Sequence, residues 1–118
     1  MTESQLQAAL LLKAPVLLPN IRLFRRNVIA ARIGDRTVRA GIKGQCDLYG
    51  YVRCNGGVIE IELKSHSGQL SPEQKAWAAW CAEWGVPHVV LTGRRGETVE
   101  ETVDRWVGEL EALMATFA

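Results

Sequence analysis

The chain has 118 residues, 47% of them apolar, and a formal net charge of +1 at pH 7, which suits one domain around one core. No apolar run approaches the roughly 20 residues needed to span a bilayer. Leu10–Leu18 is broken by Lys13 and Pro15 and follows Glu3, Ser4 and Gln5 instead of basic residues, so neither a membrane span nor a secretory signal is expected, and the cytoplasm is the expected location. Cys46, Cys54 and Cys81 lack the C-x-x-C spacing of a zinc or redox motif and read as reduced thiols, at least two of them packed.

The small net charge hides an asymmetry. Residues 1–58 carry nine Lys and Arg against three acids (+6), and residues 59–118 carry five against ten (−5). Much of the basic charge lies between Arg22 and Arg53, a segment suited either to phosphate contact or to an ordinary solvated surface.

In chain order, residues 3–13 (ESQLQAALLLK) read as a helix, with Thr2 as N-cap, Glu3 in the first turn and Pro15 just beyond the end. Residues 21–26 (IRLFRR) alternate apolar and basic, as a half-buried strand does. The basic, glycine-punctuated stretch from Arg32 to Lys43 has room for a short strand at residues 37–40. Two further strands, 46–52 (CDLYGYV) and 58–64 (VIEIELK), flank Asn55-Gly56, a strong hairpin signal. Ser71-Pro72-Glu73-Gln74 then opens a helix reaching about Trp84, with Ser at the N-cap, Pro at N1 and Gln at N3. Gly85 ends it, residues 86–92 (VPHVVLT) read as a buried strand, and an acidic helix follows from about Thr98 to Thr116. The order α-β-β-β-α-β-α predicts one α/β domain over residues 1–118, a mixed β-sheet flanked by helices, with a right-handed parallel crossover across 58–92.

Alternation along the hairpin strands sorts their side chains by face. Ile59, Ile61 and Leu63 point one way, and Glu60, Glu62 and Lys64 the other; Asp47, Tyr49 and Tyr51 share the second face. A turn centred near Cys54/Asn55 sets Asp47 opposite Glu62, within roughly 5 Å between Cβ atoms. A turn centred one residue later sets Asp47 opposite Lys64. In either register the two carboxylates and the lysine share a face. Two carboxylates that close repel unless a cation lies between them, and Mg²⁺ suits such a pair together with water and phosphate oxygens. Phosphodiester hydrolysis needs a metal to neutralise the phosphate and a lysine to position or deprotonate water. The Leu63 carbonyl is a third candidate metal donor. A solvated, salt-bridged sheet face is the competing reading of the same residues.

Gly44-Gln45-Cys46-Asp47-Leu48, Ile59-Glu60-Ile61-Glu62-Leu63-Lys64 and Leu70-Ser71-Pro72-Glu73-Gln74 together resemble the VRR-NUC domain (virus-type replication-repair nucleases), a branch of the PD-(D/E)xK superfamily. Matching elements run from about Glu3 to Thr92. The resemblance implies a restriction-endonuclease-like core and a Mg²⁺- or Mn²⁺-dependent DNA endonuclease. Small stand-alone members are similar to phage and bacterial homodimers acting on branched DNA such as Holliday junctions, which implies a bacterial cell or phage-infected host. Asp47 and Glu62 match the family's metal ligands, Lys64 its catalytic lysine, Gln74 the glutamine of its third motif and Glu3 the acid of its first helix. Arg25-Arg26-Asn27 resembles its Arg-Asn segment, although Val28-Ile29 stands where a glycine often follows.

Expected DNA contacts are Arg25, Arg26, Arg39, Lys43, Arg53 and His66. Glu60, with no basic residue two positions on, is expected to face solvent or to support the site from outside it. Gln74 is explained equally by capping and by a catalytic role, and Glu3 by the helix dipole or by a link to the metal. Trp77, Trp80 and Trp84 form one stripe of a helix, expected first as core and next as a dimer interface; His88 is expected to pack. The first helix carries more leucines than one core stripe needs, so it too is a candidate homodimer surface. The alternative function is a DNA-binding or assembly module that keeps the fold without cutting.

Overall fold

A computed structural model of the chain describes residues 1–26, 30–39, 42–53 and 56–117, with the backbone alone for 30–32 and 37–39. The first helix, α1 (Glu3–Leu17), begins with Thr2 and Gln5 exchanging side-chain-to-backbone hydrogen bonds, an arrangement that stabilises a helix start by about 1 kcal/mol. Leu6, Leu10 and Ala14 recur every four residues on its buried side. The helix runs past Pro15, where the sequence predicted its end. Proline costs one backbone hydrogen bond within a helix, but burial of Ala14 and Leu18 holds one more turn, closed by the Leu18 N–H on the Ala14 carbonyl at 2.8 Å.

The main sheet has the order β1-β4-β5-β6, formed by β1 (Ile21–Arg25), β4 (Leu48–Val52), β5 (Val58–Lys64) and β6 (His88–Thr92). β1, β4 and β5 pair antiparallel, and β6 joins β5 in parallel after the crossover through α2 (Pro72–Glu83). β2 (Ala30–Ile33) and β3 (Arg36–Arg39) pair only with each other, so the expected strand at 37–40 is half of a separate ribbon whose first strand the sequence did not suggest. Without that ribbon the order is the expected α-β-β-β-α-β-α.

α1 and α3 (Val99–Met114) cover one face of the sheet. Leu6, Leu10, Leu48, Ile59, Ile61, Leu63, Leu91, Val103, Trp106 and Leu110 close the core between them. α3 is tied back to the end of β6: Trp106 Nε1 and Arg105 Nη2 both donate to the Thr92 carbonyl, and Arg105 also grips Glu97. Those contacts hold the segment beyond Thr92 beside Lys64, whose carbonyl accepts from the Gly93 N–H at 2.8 Å.

α2 lies on the opposite, polar face, and here the tryptophan stripe differs from expectation. Only Cys81 of α2 is buried, while Trp80 and Trp84 are 43% and 67% exposed and stack in sequence on Trp77. The strand beneath α2 offers Glu60 and Glu62 instead of apolar side chains. The helix therefore turns Gln74, Trp77 and Cys81 toward the sheet and leaves the remaining tryptophans outside the core. Among the described residues, no helix is long and apolar enough to cross a membrane.

Candidate active site

β5 outruns β4 at one end, and the candidate site occupies that fork. The last paired residues are Leu48 and Ile61, so the first of the two predicted registers holds, with Asp47 one step on and opposite Glu62. The turn residues Cys54 and Asn55 lie outside the described residues, but the Val52 N–H on the Gly57 carbonyl, at 2.8 Å, continues the same register. Asp47 sits in a bend before β4, and its Oδ2 accepts from the Leu63 N–H at 3.1 Å. The Asp47 side chain thus substitutes for a strand along the exposed edge of β5. Within a strand, the N–H and C=O of one residue face the same edge, which aims the Leu63 carbonyl to the Asp47 side.

Glu62 is 2% exposed. Its Oε1 accepts from Gln74 Nε2 at 2.8 Å and lies 3.8 Å from Lys64 Nζ. Its Oε2 is buried without a hydrogen-bond partner, the one such side-chain atom among the described residues. Burial, and then the neighbouring Asp47 carboxylate, push the Glu62 carboxyl up to about 8, against a smaller opposing pull from Lys64. Orphaned buried oxygens are rare because each costs about 1–3 kcal/mol, more when charged. This one lies beside a second carboxylate and a lysine. A hard cation taking oxygen ligands satisfies both the lone pairs and the charge, so the residues present fit a divalent metal held by Asp47, Glu62 and the Leu63 carbonyl. Among the described residues no three His, Cys, Asp or Glu side chains converge as a complete cage; the fit here rests on two carboxylates and a main-chain oxygen.

Gln74 caps the helix and also reaches Glu62. Its Oε1 accepts from the Ser71 N–H at 2.9 Å and completes the capping box, while its Nε2 holds Glu62. The helix start is thereby locked to the carboxylate. Lys64 is mostly buried, with its aliphatic stem against Gly68; a β-carbon at that position would come within 3.1 Å of Lys64 Cδ. Glu3 is exposed on the first turn of α1, and its charge adds to those that raise Glu62. Gly44 has φ +96°, and a β-carbon there would run into the Glu73 carbonyl. The turn leading to Asp47 passes that close over the start of α2.

The expected DNA contacts divide. Arg25 and His66 are exposed, as is Lys43, which pairs loosely with Glu73 at 3.3 Å. The backbone of Arg39 lies in β3, and its side chain is outside the described residues, as is Asn27. Arg53 follows the far end of β4, about 20 Å from Asp47 by strand length, with its Nε on the Pro19 carbonyl. Arg26 turns inward: both its terminal nitrogens bind Glu60, at 2.8 and 2.9 Å, and its guanidinium lies 4.9 Å from the centre of the Tyr49 ring. Its expected phosphate contact is replaced by this ion pair, because Glu60 is only 3% exposed and must be matched.

Glu60 is accordingly a buried member of a network and does not face solvent. Trp77 Nε1 also donates to it, at 3.0 Å. Sequence reasoning missed this network, though strand parity carried a signal: Phe24 and Arg26 fall on the same face as Tyr49, and Phe24 stacks on Tyr49 at 5.5 Å. Cys46 and Cys81 are buried free thiols, and burial raises both. His88 is half-buried, and burial lowers it. Compared with protein-family models, curated proteins and solved structures, the chain matches none.

Proposed function

We propose that the chain is a divalent-metal-dependent DNA endonuclease with a restriction-endonuclease-like core. The observation that carries this reading is the buried, unpartnered Glu62 oxygen set against Asp47 and Lys64. Asp47, Glu62 and the Leu63 carbonyl would hold Mg²⁺ or Mn²⁺, which when bound supplies charge neutralisation at a phosphate and acidifies water. Lys64 orients the attacking water and stabilises charge developing on the phosphate. Gln74 keeps Glu62 turned toward its partner carboxylate.

The arrangement of charge supports a polyanionic substrate. The acids of α3 lie with α1 on the opposite side of the sheet from the site, where Lys13 pairs with Glu100 and Asp104. The side that carries Asp47 is thereby spared their repulsion of phosphate. The proposal includes branched DNA as substrate and a homodimer in a bacterial or phage-infected cytoplasm, since cutting both arms of a symmetric junction is simplest with two sites related by a two-fold axis. Exposed Leu12 and Val16 on α1, and Trp80 and Trp84 on α2, are the apolar surfaces open to such pairing.

A panel of four-way junctions, flaps, duplexes and single strands tests this directly. Junctions are cut in Mg²⁺ or Mn²⁺ and not in chelator, binding weakens steeply with salt, and light scattering gives a dimer mass. A monomer whose cleavage rate is first-order in monomer removes the dimer. Absence of metal-dependent cleavage on every substrate removes the nuclease. The second reading, a DNA-binding or assembly module that does not cut, draws on the same Glu62: a carboxyl pushed up to about 8 is largely neutral at pH 7 and can rest in the fork without a metal. Binding to DNA without cleavage, unchanged by metal, would select it.

A further inference from the structure

Two rungs connect α2 to β5. Gln74 reaches Glu62 and, one turn along the helix, Trp77 reaches Glu60, two residues back on the strand. The first rung belongs to the proposed metal site. The second leads elsewhere. Glu60 binds both terminal nitrogens of Arg26, and Arg26 Nη1 donates in turn to the Cys46 carbonyl at 3.1 Å. The Arg26 backbone N–H donates to the Asp47 carbonyl at 2.9 Å. One residue therefore holds two successive carbonyls on the segment that delivers Asp47.

From this geometry we infer that Trp77, Glu60 and Arg26 form a clamp, built on the buried Glu60, that positions the Asp47 carboxylate for metal binding. Asp47 precedes β4 and sits in a bend, so the regular strand pairing of β4 begins only at Leu48. Arg26 likewise lies one residue past β1. The clamp braces these two strand ends against each other, with its charge matched by Glu60. Glu60 and Arg26 touch no substrate; they are positioning residues. Groups that orient a metal ligand from behind typically contribute 10- to 100-fold to metal affinity. The inference rests on the metal-binding reading of Asp47 and Glu62.

The test uses Glu60→Gln, which removes the charge that fixes Arg26, and, as a second variant, Trp77→Phe, which removes the indole N–H donor together with one ring of the side chain and leaves the Glu60 charge in place. The first readout is hydrogen exchange of the Leu63 amide in metal-free protein, because that amide is bound to the Asp47 carboxylate itself. Its exchange is expected to speed up at least tenfold in Glu60→Gln, and by less in Trp77→Phe, while the core amides of Ile61 and Leu91 keep their rates. The second readout is the Mn²⁺ concentration giving half-maximal thermal stabilisation, expected to rise 10- to 100-fold in Glu60→Gln. Global loosening of all these amides with an unchanged Mn²⁺ midpoint would make the network purely structural and overturn the clamp. A parent chain that takes up no Mn²⁺, with the Leu63 amide still loosened selectively, would overturn the metal reading and leave the bracing of Asp47 standing. Unchanged Leu63 exchange in both variants overturns the clamp whatever the metal does.

Discussion

Lys64→Ala, Asp47→Ala and Glu62→Gln should each lower metal-dependent DNA cleavage by on the order of a thousandfold or more, the usual cost of removing an essential group from an electrostatic site. Their effects on stability should diverge. Asp47→Ala leaves the Leu63 N–H on the edge of β5 without its acceptor, at about 1–2 kcal/mol. Glu62→Gln should act in the opposite direction in metal-free protein. The Glu62 carboxyl is raised in the fold to about 8. A carboxyl raised on folding favours the native state at low pH, and that contribution is lost as pH climbs from the ordinary carboxylate range through about 8. Metal-free protein should therefore lose stability between about pH 5 and pH 9, and Glu62→Gln should flatten that loss. At pH 9 the variant should melt above the parent, and Mn²⁺ should raise the parent's melting temperature and not the variant's. Melting curves across pH, with and without Mn²⁺, check all of this. Near-normal turnover in Lys64→Ala would remove the active-site assignment, and a parent curve indifferent to saturating Mn²⁺ at pH 9 would remove the metal site.

Among the described glycines, Gly44→Ala should be the most damaging addition of a methyl group, at about 4 kcal/mol. Its φ of +96° already disfavours any L side chain, and the added carbon meets the Glu73 carbonyl, which is backbone in the first turn of a capped helix and has nowhere to move. For a domain of this size the loss corresponds to a fall on the order of 15 °C in melting temperature. Gly85→Ala is the control. That residue also has positive φ, +70°, but nothing lies within 4 Å of the new carbon, so its cost should stay near 1 kcal/mol. Equal melting temperatures for the two variants would mean that the close passage of the Gly44 segment over α2 is wrong, and with it the delivery of Asp47 to the fork.

Much of the fold was legible because it follows from local pattern. The Thr2 and Ser71 caps and the period-two alternation of residues 58–64 depend on residues adjacent or nearly so, and each expected element formed within a few residues of its expected place. The face shared by Asp47, Glu62 and Lys64 was legible for the same reason: alternation is a property of the strand. The errors share a cause. Pro15 did not end α1, because burial of Ala14 and Leu18 outweighed a lost hydrogen bond. The tryptophan stripe did not become core, because the strand beneath α2 presents two buried carboxylates, and the helix rotated to satisfy them.

By itself the sequence determined which residues share a face and where each helix starts, because covalent geometry sets both. Only the tertiary structure decided what those residues meet. Arg26 and Glu60 are 34 positions apart; pairing them turned inward an arginine that had been expected to contact DNA. The same packing left one oxygen of Glu62 without a partner. Whether a carboxylate is solvated or orphaned depends on what covers it, and here the cover is a helix that begins eight residues after β5 has ended.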